Sequence, residues 1–119
     1  MSLIQSHALP FMDYSSLISK RRDRFAELEE AVGDPELFAD PKRATEILRE
    51  HGKLKQTLIL WEKIESAKRQ LADNQELAKS DDSDFSAMAA EEIPGLEAEI
   101  ATLGTELQYA LLPADPNED

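Results

Sequence analysis

Adjacent carboxylates are the side chains of this sequence that most resemble an acid–base site. They occur as Glu29-Glu30, the run DDSD at residues 81–84, and Glu91-Glu92. Two carboxylates can share acid and base roles when their surroundings separate their pKa values. These groups are predicted on polar helix faces or in a loop, where solvation is their only role, and DDSD lacks the glycine and distal glutamate of a calcium loop. We therefore predict no catalytic residue and no calcium site.

Metal and cofactor chemistry has equally little support in the sequence. The chain has two histidines, His7 and His51, and no cysteine. The absence of cysteine excludes disulfides, thiolate catalysis and cysteine-ligated zinc, and His51 has no second histidine one turn away. No two glycines are adjacent, so a glycine-rich phosphate loop is absent too. We predict no metal, no cofactor, and a partly exposed helical role for His51.

The run KRRDR at residues 20–24 is the concentrated basic cluster of an otherwise acidic chain. Arginine side chains bind phosphate or carboxylate groups through paired N–H donors, so Lys20, Arg21, Arg22 and Arg24 form a candidate partner-contact site. The alternative is a helix face held by ion pairs, for example between Arg24 and Glu27. The sequence leaves both interpretations open.

Composition limits the classes of fold and partner. The 119 residues are 41% apolar and 32% charged with only four glycines, which favours one all-α domain. The formal charge of -12 disfavours coating of nucleic acid, although a local patch could still contact a ribonucleoprotein. No apolar run is long enough to span a membrane. Residues 1–12 are predicted to be a disordered leader or an expression-derived extension, without the pattern of a secretory signal.

The first helix is predicted from Asp13 to Val32. Asp13 or Ser15 can cap its start, and Gly33 is expected to end it in the left-handed conformation. Its apolar positions repeat at three- and four-residue steps, interrupted at Arg21, which predicts an amphipathic helix. These positions are Tyr14, Ile18, Phe25, Leu28 and Val32.

Two Asp-Pro pairs then mark further helix starts, because the aspartate caps free amides and proline needs no amide partner at the first helical position. Asp34-Pro35 opens a short turn, PELFA, whose Leu37 and Phe38 are expected to cover one end of a helix pair. Asp40-Pro41 opens a long helix to about Asp73. Its apolar stripe is broken only by Gly52 and comprises Ala44, Ile47, Leu48, Leu54, Leu58, Trp61, Ile64 and Leu71.

A polar segment from Asn74 to Asp84 is predicted to be a loop or frayed turn before a third helix. The apolar stripe of that helix comprises Ala89, Ile93, Leu96, Ile100, Leu103, Leu107 and Leu111. Pro94-Gly95 predicts a kink within it, with a break at Ile93 as the alternative. We predict a helical domain over residues 13–112, in which a long, coiled-coil-like antiparallel hairpin dominates three helices, and a linker over residues 113–119. If the apolar stripes do not cover one another, the chain is expected to self-associate.

Two segments carry a resemblance to a known family. The run DPELFADPKRATEILREH, residues 34–51, and the ending LLPADPNED, residues 111–119, resemble the N-terminal helical domain of bacterial class I peptide chain release factors. The ending is similar to that of the UAA/UAG-reading branch. The resemblance covers the chain from about Asp13 onwards.

The resemblance implies a function in translation termination. In that family a later region reads the stop codon through a Pro-x-Thr type tripeptide, and a Gly-Gly-Gln loop promotes hydrolysis of peptidyl-tRNA. Neither motif occurs in this sequence. The resemblance therefore implies a non-catalytic, cytoplasmic domain that contacts the protein and rRNA of the large-subunit stalk base and cooperates with a termination GTPase. A free-standing coiled-coil adaptor or chaperone remains the alternative that the helix pattern allows.

Overall fold

The computed structural model describes residues 14–112, which form three α-helices and one 3-10 helix. The elements are α1 (Tyr14–Val32), a 3-10 helix (Pro35–Ala39), α2 (Pro41–Leu77) and α3 (Ser83–Ala110). The predicted all-α hairpin arrangement of three helices is confirmed. The predicted leader, the Asp13 cap and the linker at residues 113–119 lie outside the described residues.

The chain divides within α2 into two compact units, Met1–Leu58 and Ile59–Asp119. In the first unit, Ile18 and Leu28 of α1 are buried, which confirms the amphipathic pattern. Leu37 of the 3-10 helix and Ala44 of α2 are also buried. Thr57 is a buried polar residue, and its hydroxyl is satisfied because it donates to the carbonyl of Lys53 at 3.2 Å.

The end of α1 differs from the prediction at Gly33. The Gly33 N–H donates to the carbonyls of Glu29 and Glu30, both at 3.2 Å, and its backbone does not adopt the left-handed conformation. The chain instead leaves the helix at Asp34, whose backbone is extended with φ -85° and ψ 118°. The residue before a proline is driven out of the helical region, so Pro35 ends α1 without a left-handed glycine.

Both Asp-Pro helix starts are confirmed. An Asp34 carboxylate oxygen accepts the N–H of Glu36 at 2.9 Å, and an Asp40 oxygen accepts that of Arg43 at 3.2 Å. The prediction that Phe38 covers a helix end is wrong, because its side chain is 58% exposed. In this short 3-10 helix only Leu37 points into the core.

Helix α2 extends further than its pattern predicts. The loop predicted to begin at Asn74 is wrong in its first part, since α2 continues to Leu77. The Asn74 side chain donates to the carbonyl of Gln70 at 2.8 Å, so its amide supports the helix surface rather than breaking it. Leu48 is 42% exposed because it lies about 100° around the helix from the half-buried Ile47.

Helix α3 begins where Asp82 caps it, since one carboxylate oxygen accepts the N–H groups of Asp84 and Phe85. The Ser86 hydroxyl donates to the carbonyl of Ala78 at 2.8 Å, which ties the first turn of α3 to the end of α2. The stripe predicted for α3 is confirmed by its buried members. These are Ala89, Leu96, Leu103 and Leu107.

Pro94 lies inside a continuous α3, so the alternative of two helices broken at Ile93 is wrong. Proline removes one backbone hydrogen bond and crowds the preceding turn at a cost of about 3 kcal/mol. Ala89 and Leu96, on either side of it, are both buried, and this packing offsets the local cost. The kink stays a prediction.

Candidate partner-contact surface

Helix α1 carries the basic cluster, but the helical geometry distributes its members around the axis. Successive residues are rotated by about 100°, so Lys20 and Arg24, four residues apart, lie on one flank. Arg22 lies roughly on the opposite flank, and Arg21 is half-buried towards the side of Ile18 and Leu28. The four basic residues between positions 20 and 24 therefore do not form one continuous basic surface.

Arg24 is engaged in ion pairs within the first unit. Its Nε and Nη2 donate to the two carboxylate oxygens of Glu50, both at 2.8 Å, and its Nη1 donates to Glu27 at 2.9 Å. The pair with Glu50 has the bidentate geometry in which guanidinium and carboxylate match. The predicted pair with Glu27 is thereby confirmed, and a second bond to α2 is added.

The ion pairs shift the titration of both partners. The hydrogen bonds that Arg24 donates to Glu50 and then to Glu27 raise the pKa of Arg24 above its ordinary value. The hydrogen bond from Arg24 lowers the pKa of Glu50, and burial of the carboxylate opposes that shift only in part. Since the two side chains are 45% and 42% exposed, solvent screens the pair and its contribution to stability is modest.

The remaining members of the cluster have different surroundings. Arg21 Nη1 donates to the carbonyl of Leu17 at 3.5 Å, so it binds its own helix. Lys20 and Arg22 are exposed, and Lys20 forms no ion pair with any residue from 14 to 112. Of the four predicted residues, Lys20 and Arg22 present the most accessible charge, whereas Arg24 holds α1 to α2.

His51 also joins the two helices of the first unit. Its ring stacks on Phe25 with a centroid distance of 4.7 Å and an interplanar angle of 21°. Its Nε2 lies 2.6 Å from a carboxylate oxygen of Glu29. The sequence prediction treated His51 as an isolated surface residue, because nothing local connects it with Phe25 and Glu29, more than twenty positions earlier.

An open hollow of about 350 Å³ lies beside the Arg24–Glu50 pair. Seven residues line it: Arg24, Asp40, Lys42, Arg43, Glu46, Ile47 and Glu50. Lys42 and Arg43 form no ion pair among the described residues, so they are accessible cations that the sequence analysis did not single out. Three acidic residues share the hollow, however, and its mixed charge suits contact with a protein surface better than capture of a free anion.

The described residues contain no group of three or more His, Cys, Asp or Glu side chains arranged to hold a metal ion. The adjacent carboxylates do not converge on one site: Glu29 contacts His51, and Asp82 caps α3. Between residues 14 and 112, no helix combines the length and the apolar character needed to cross a bilayer.

Comparison with known proteins identifies related sequences over nearly the whole chain. A profile of the PCRF domain matches residues 21–119. Peptide chain release factor 1 of Akkermansia muciniphila is 50% identical over 108 residues, which cover 91% of this chain and 30% of the relative. Peptide chain release factor 1 of Bacillus licheniformis is 38% identical over 98 residues, covering 82% of this chain and 28% of the relative.

A third relative, peptide chain release factor 1 of Nitratidesulfovibrio vulgaris strain DP4, is 36% identical over 96 residues, or 81% of this chain and 27% of the relative. The chain thus spans less than a third of the length of the curated relatives that it matches. No solved structure matches the chain significantly.

Proposed function

Since this chain belongs to the PCRF domain family, we propose that it is the non-catalytic N-terminal domain of a bacterial translation termination factor. The observation that carries the proposal is the 50% identity to a peptide chain release factor 1 over 91% of the chain. In the three relatives compared above, the matched segment makes up 30%, 28% and 27% of the relative. Their remaining length has room for the codon-reading and hydrolytic parts of the function.

The proposed role of this domain is positioning. The factor as a whole directs stop-codon-dependent hydrolysis of peptidyl-tRNA on the ribosome, a cytoplasmic reaction, and the Gly-Gly-Gln loop implied for that step has no counterpart in this sequence. The proposal is supported by the contacts that join α1 to α2 in the first unit, the Arg24–Glu50 ion pair and the His51–Phe25 stack. The domain supplies binding rather than chemistry.

The proposed partner is the ribosome, at the protein and rRNA of the large-subunit stalk base, with influence on a termination GTPase. A chain with a large net negative charge does not bind RNA over an extended surface. Contact with rRNA must therefore be confined to a local set of cations. Lys20 and Arg22 are the members of the predicted cluster that fit this role, because they are exposed on α1. Arg24 contributes indirectly by holding α1 in place.

A competition assay tests the proposed function. Ribosomes that carry peptidyl-tRNA and a stop codon are given a limiting amount of intact release factor 1, with and without an excess of this chain. The chain alone should release no peptide and, in excess, should slow release by the intact factor. Peptide release by the chain alone, or an unchanged rate at every concentration of the chain, would contradict the proposal.

The basic cluster is tested separately in the same assay. Lys20→Glu with Arg22→Glu should weaken competition, because both charges are exposed on α1. Lys53→Glu with Lys55→Glu is the matched control, since it reverses two exposed cations on α2. Equal competition by the two variants would show that the cluster is not a contact surface.

A further inference from the structure

Helix α3 is charged with one sign only. It contains six acidic residues and neither lysine nor arginine, and these acidic residues are Asp84, Glu91, Glu92, Glu97, Glu99 and Glu106. All of them are exposed. Every one of the 13 lysines and arginines of the chain lies between Lys20 and Lys79. With six acidic and no basic residues, this helix therefore carries -6 of the formal net charge of -12.

Most of these carboxylates lie along one flank of α3. With about 100° between successive residues, all of them except Glu97 lie within an arc of roughly 100°. This arc lies beside the buried stripe of Ala89, Leu96, Leu103 and Leu107. The flank is an acidic face along one helix, which we call the α3 acidic face.

Exposed apolar side chains lie at the start of this face. Phe85 is 59% and Met88 63% exposed, and Leu77 at the end of α2 is 50% exposed. The Ser86–Ala78 hydrogen bond of 2.8 Å joins the two chain segments that carry them. Single exposed apolar residues are common on protein surfaces, but three large ones at one end of a helix pair indicate a contact surface.

Most of the α3 carboxylates have no stabilising partner within the described residues. Asp84 is in the first turn, where negative charge is favourable, but Glu106 is near the other end, where negative charge opposes the helix dipole. The last turn of α3 contains no basic residue. Glu91, Glu92, Glu99 and Glu106 form no ion pair with any residue from 14 to 112. Their charge is available to a partner.

We propose that the α3 acidic face, with Phe85, Met88 and Leu77 at its start, docks a protein surface that presents lysine and arginine around an apolar recess. Charge complementarity selects this occupant, because the face repels phosphate backbones, anionic membranes and a second copy of itself. The inference rests on the proposed function, because that function places the partner on the ribosome and we take the partner to be a ribosomal protein. Apolar anchors supply most of the affinity, and the carboxylates supply orientation and association rate.

Binding of the whole 119-residue chain to purified bacterial 70S ribosomes tests the surface. Phe85→Ser with Met88→Ser should raise the dissociation constant for ribosomes by about tenfold or more, the usual effect of removing central apolar anchors. Phe38→Ser is the matched control, because Phe38 is 58% exposed in the other unit. It should change affinity less than about twofold, and thermal unfolding followed by circular dichroism verifies that each variant folds.

The role of charge is tested by the double variant Glu91→Lys with Glu92→Lys. The control is Glu30→Lys with Glu36→Lys, which makes the same change in net charge outside α3. Only the first variant should lose affinity and salt dependence. Photocrosslinking from a photoreactive residue at position 88 should label a ribosomal protein. Labelling of rRNA would overturn the inference, and so would equal losses of ribosome affinity in the test and control variants. It would also be overturned if the unaltered chain self-associates and Phe85→Ser with Met88→Ser abolishes that self-association.

The assay separates this inference from the proposed function. If the unaltered chain does not bind ribosomes, the proposed function fails and the inference fails with it. If the unaltered chain binds and the α3 variants bind equally well, only the inference fails.

Discussion

Arg24 binds two carboxylates of the first unit, Glu27 on its own helix and Glu50 on α2. In sequence it belongs to a cluster of four cations that is compatible with a binding site or with a helix face held by ion pairs. In the structure it mainly joins α1 to α2, and Lys20 and Arg22 are exposed on α1. A basic run on a helix thus separates into residues with different roles, because the helix turns them to different sides.

The strength of this ion pair is measurable by a double-mutant cycle. Arg24→Ala, Glu50→Ala and the double variant should give a coupling energy of about 0.2–1 kcal/mol at neutral pH, since both side chains are substantially exposed. Urea unfolding provides the free energies. The exposed Lys79–Glu76 pair, at 3.3 Å, is the control and should show weaker coupling because it is not bidentate. Equal coupling in the two pairs would contradict this account.

The same cycle has a defined pH dependence. Because folding lowers the pKa of Glu50, its contribution is complete above the pKa of this residue in the unfolded chain and is lost as pH falls through the lower folded value. Arg24 stays charged throughout. The coupling energy should therefore persist at neutral pH and disappear as the pH falls through the lowered pKa of Glu50 in the folded chain. Coupling that increases towards acidic pH would show that the sign is wrong.

At the scale of elements, the Asp-Pro helix starts and the end of α1 at Val32 were predictable, whereas the end of α2 was not. Asp34-Pro35 and Asp40-Pro41 identify their helices because capping depends only on neighbouring residues. The end of α2 was placed too early because Asn74 has low helix propensity, yet its side chain bonds back to Gln70. Intrinsic propensity was overridden by a local contact that composition does not reveal.

The contacts between helices were the least predictable feature of the candidate surface. The local pair Arg24–Glu27 follows from spacing, and it was predicted. The Arg24–Glu50 ion pair and the Phe25–His51 stack depend on how α1 lies against α2. No sequence spacing encodes that register. The hollow beside Lys42 and Arg43 was missed for the same reason.

Gly95 lies within α3, and replacing it with alanine measures what this glycine costs the stability of the helix. At Gly95 an added Cβ would meet no atom within 4 Å, so Gly95→Ala should stabilise the chain by up to about 1 kcal/mol. The gain arises because alanine loses less conformational freedom on folding. Urea unfolding measures it, with Gly33→Ala as a control, since Gly33 follows the last residue of α1 and should gain less. A destabilised Gly95→Ala would show that α3 requires the glycine.

At the scale of the whole molecule, charge is distributed unevenly along the sequence. Cations are confined to residues 20–79, and the acidic residues continue alone through α3. Under the proposed function, a few exposed cations on α1 and the acidic face on α3 would serve different partners. The chain spans less than a third of the length of the relatives compared above.

The most direct test of the central claim exchanges this chain into a working factor. The matching 108 residues of Akkermansia muciniphila release factor 1 are replaced by this chain, and peptide release from ribosomes at a stop codon is measured. The chimera should release peptide at close to the rate of the parent factor and well above a factor that lacks the segment, because the proposed role of the domain is to position chemistry located elsewhere. A chimera no faster than the truncated factor would contradict the assignment of this chain to translation termination.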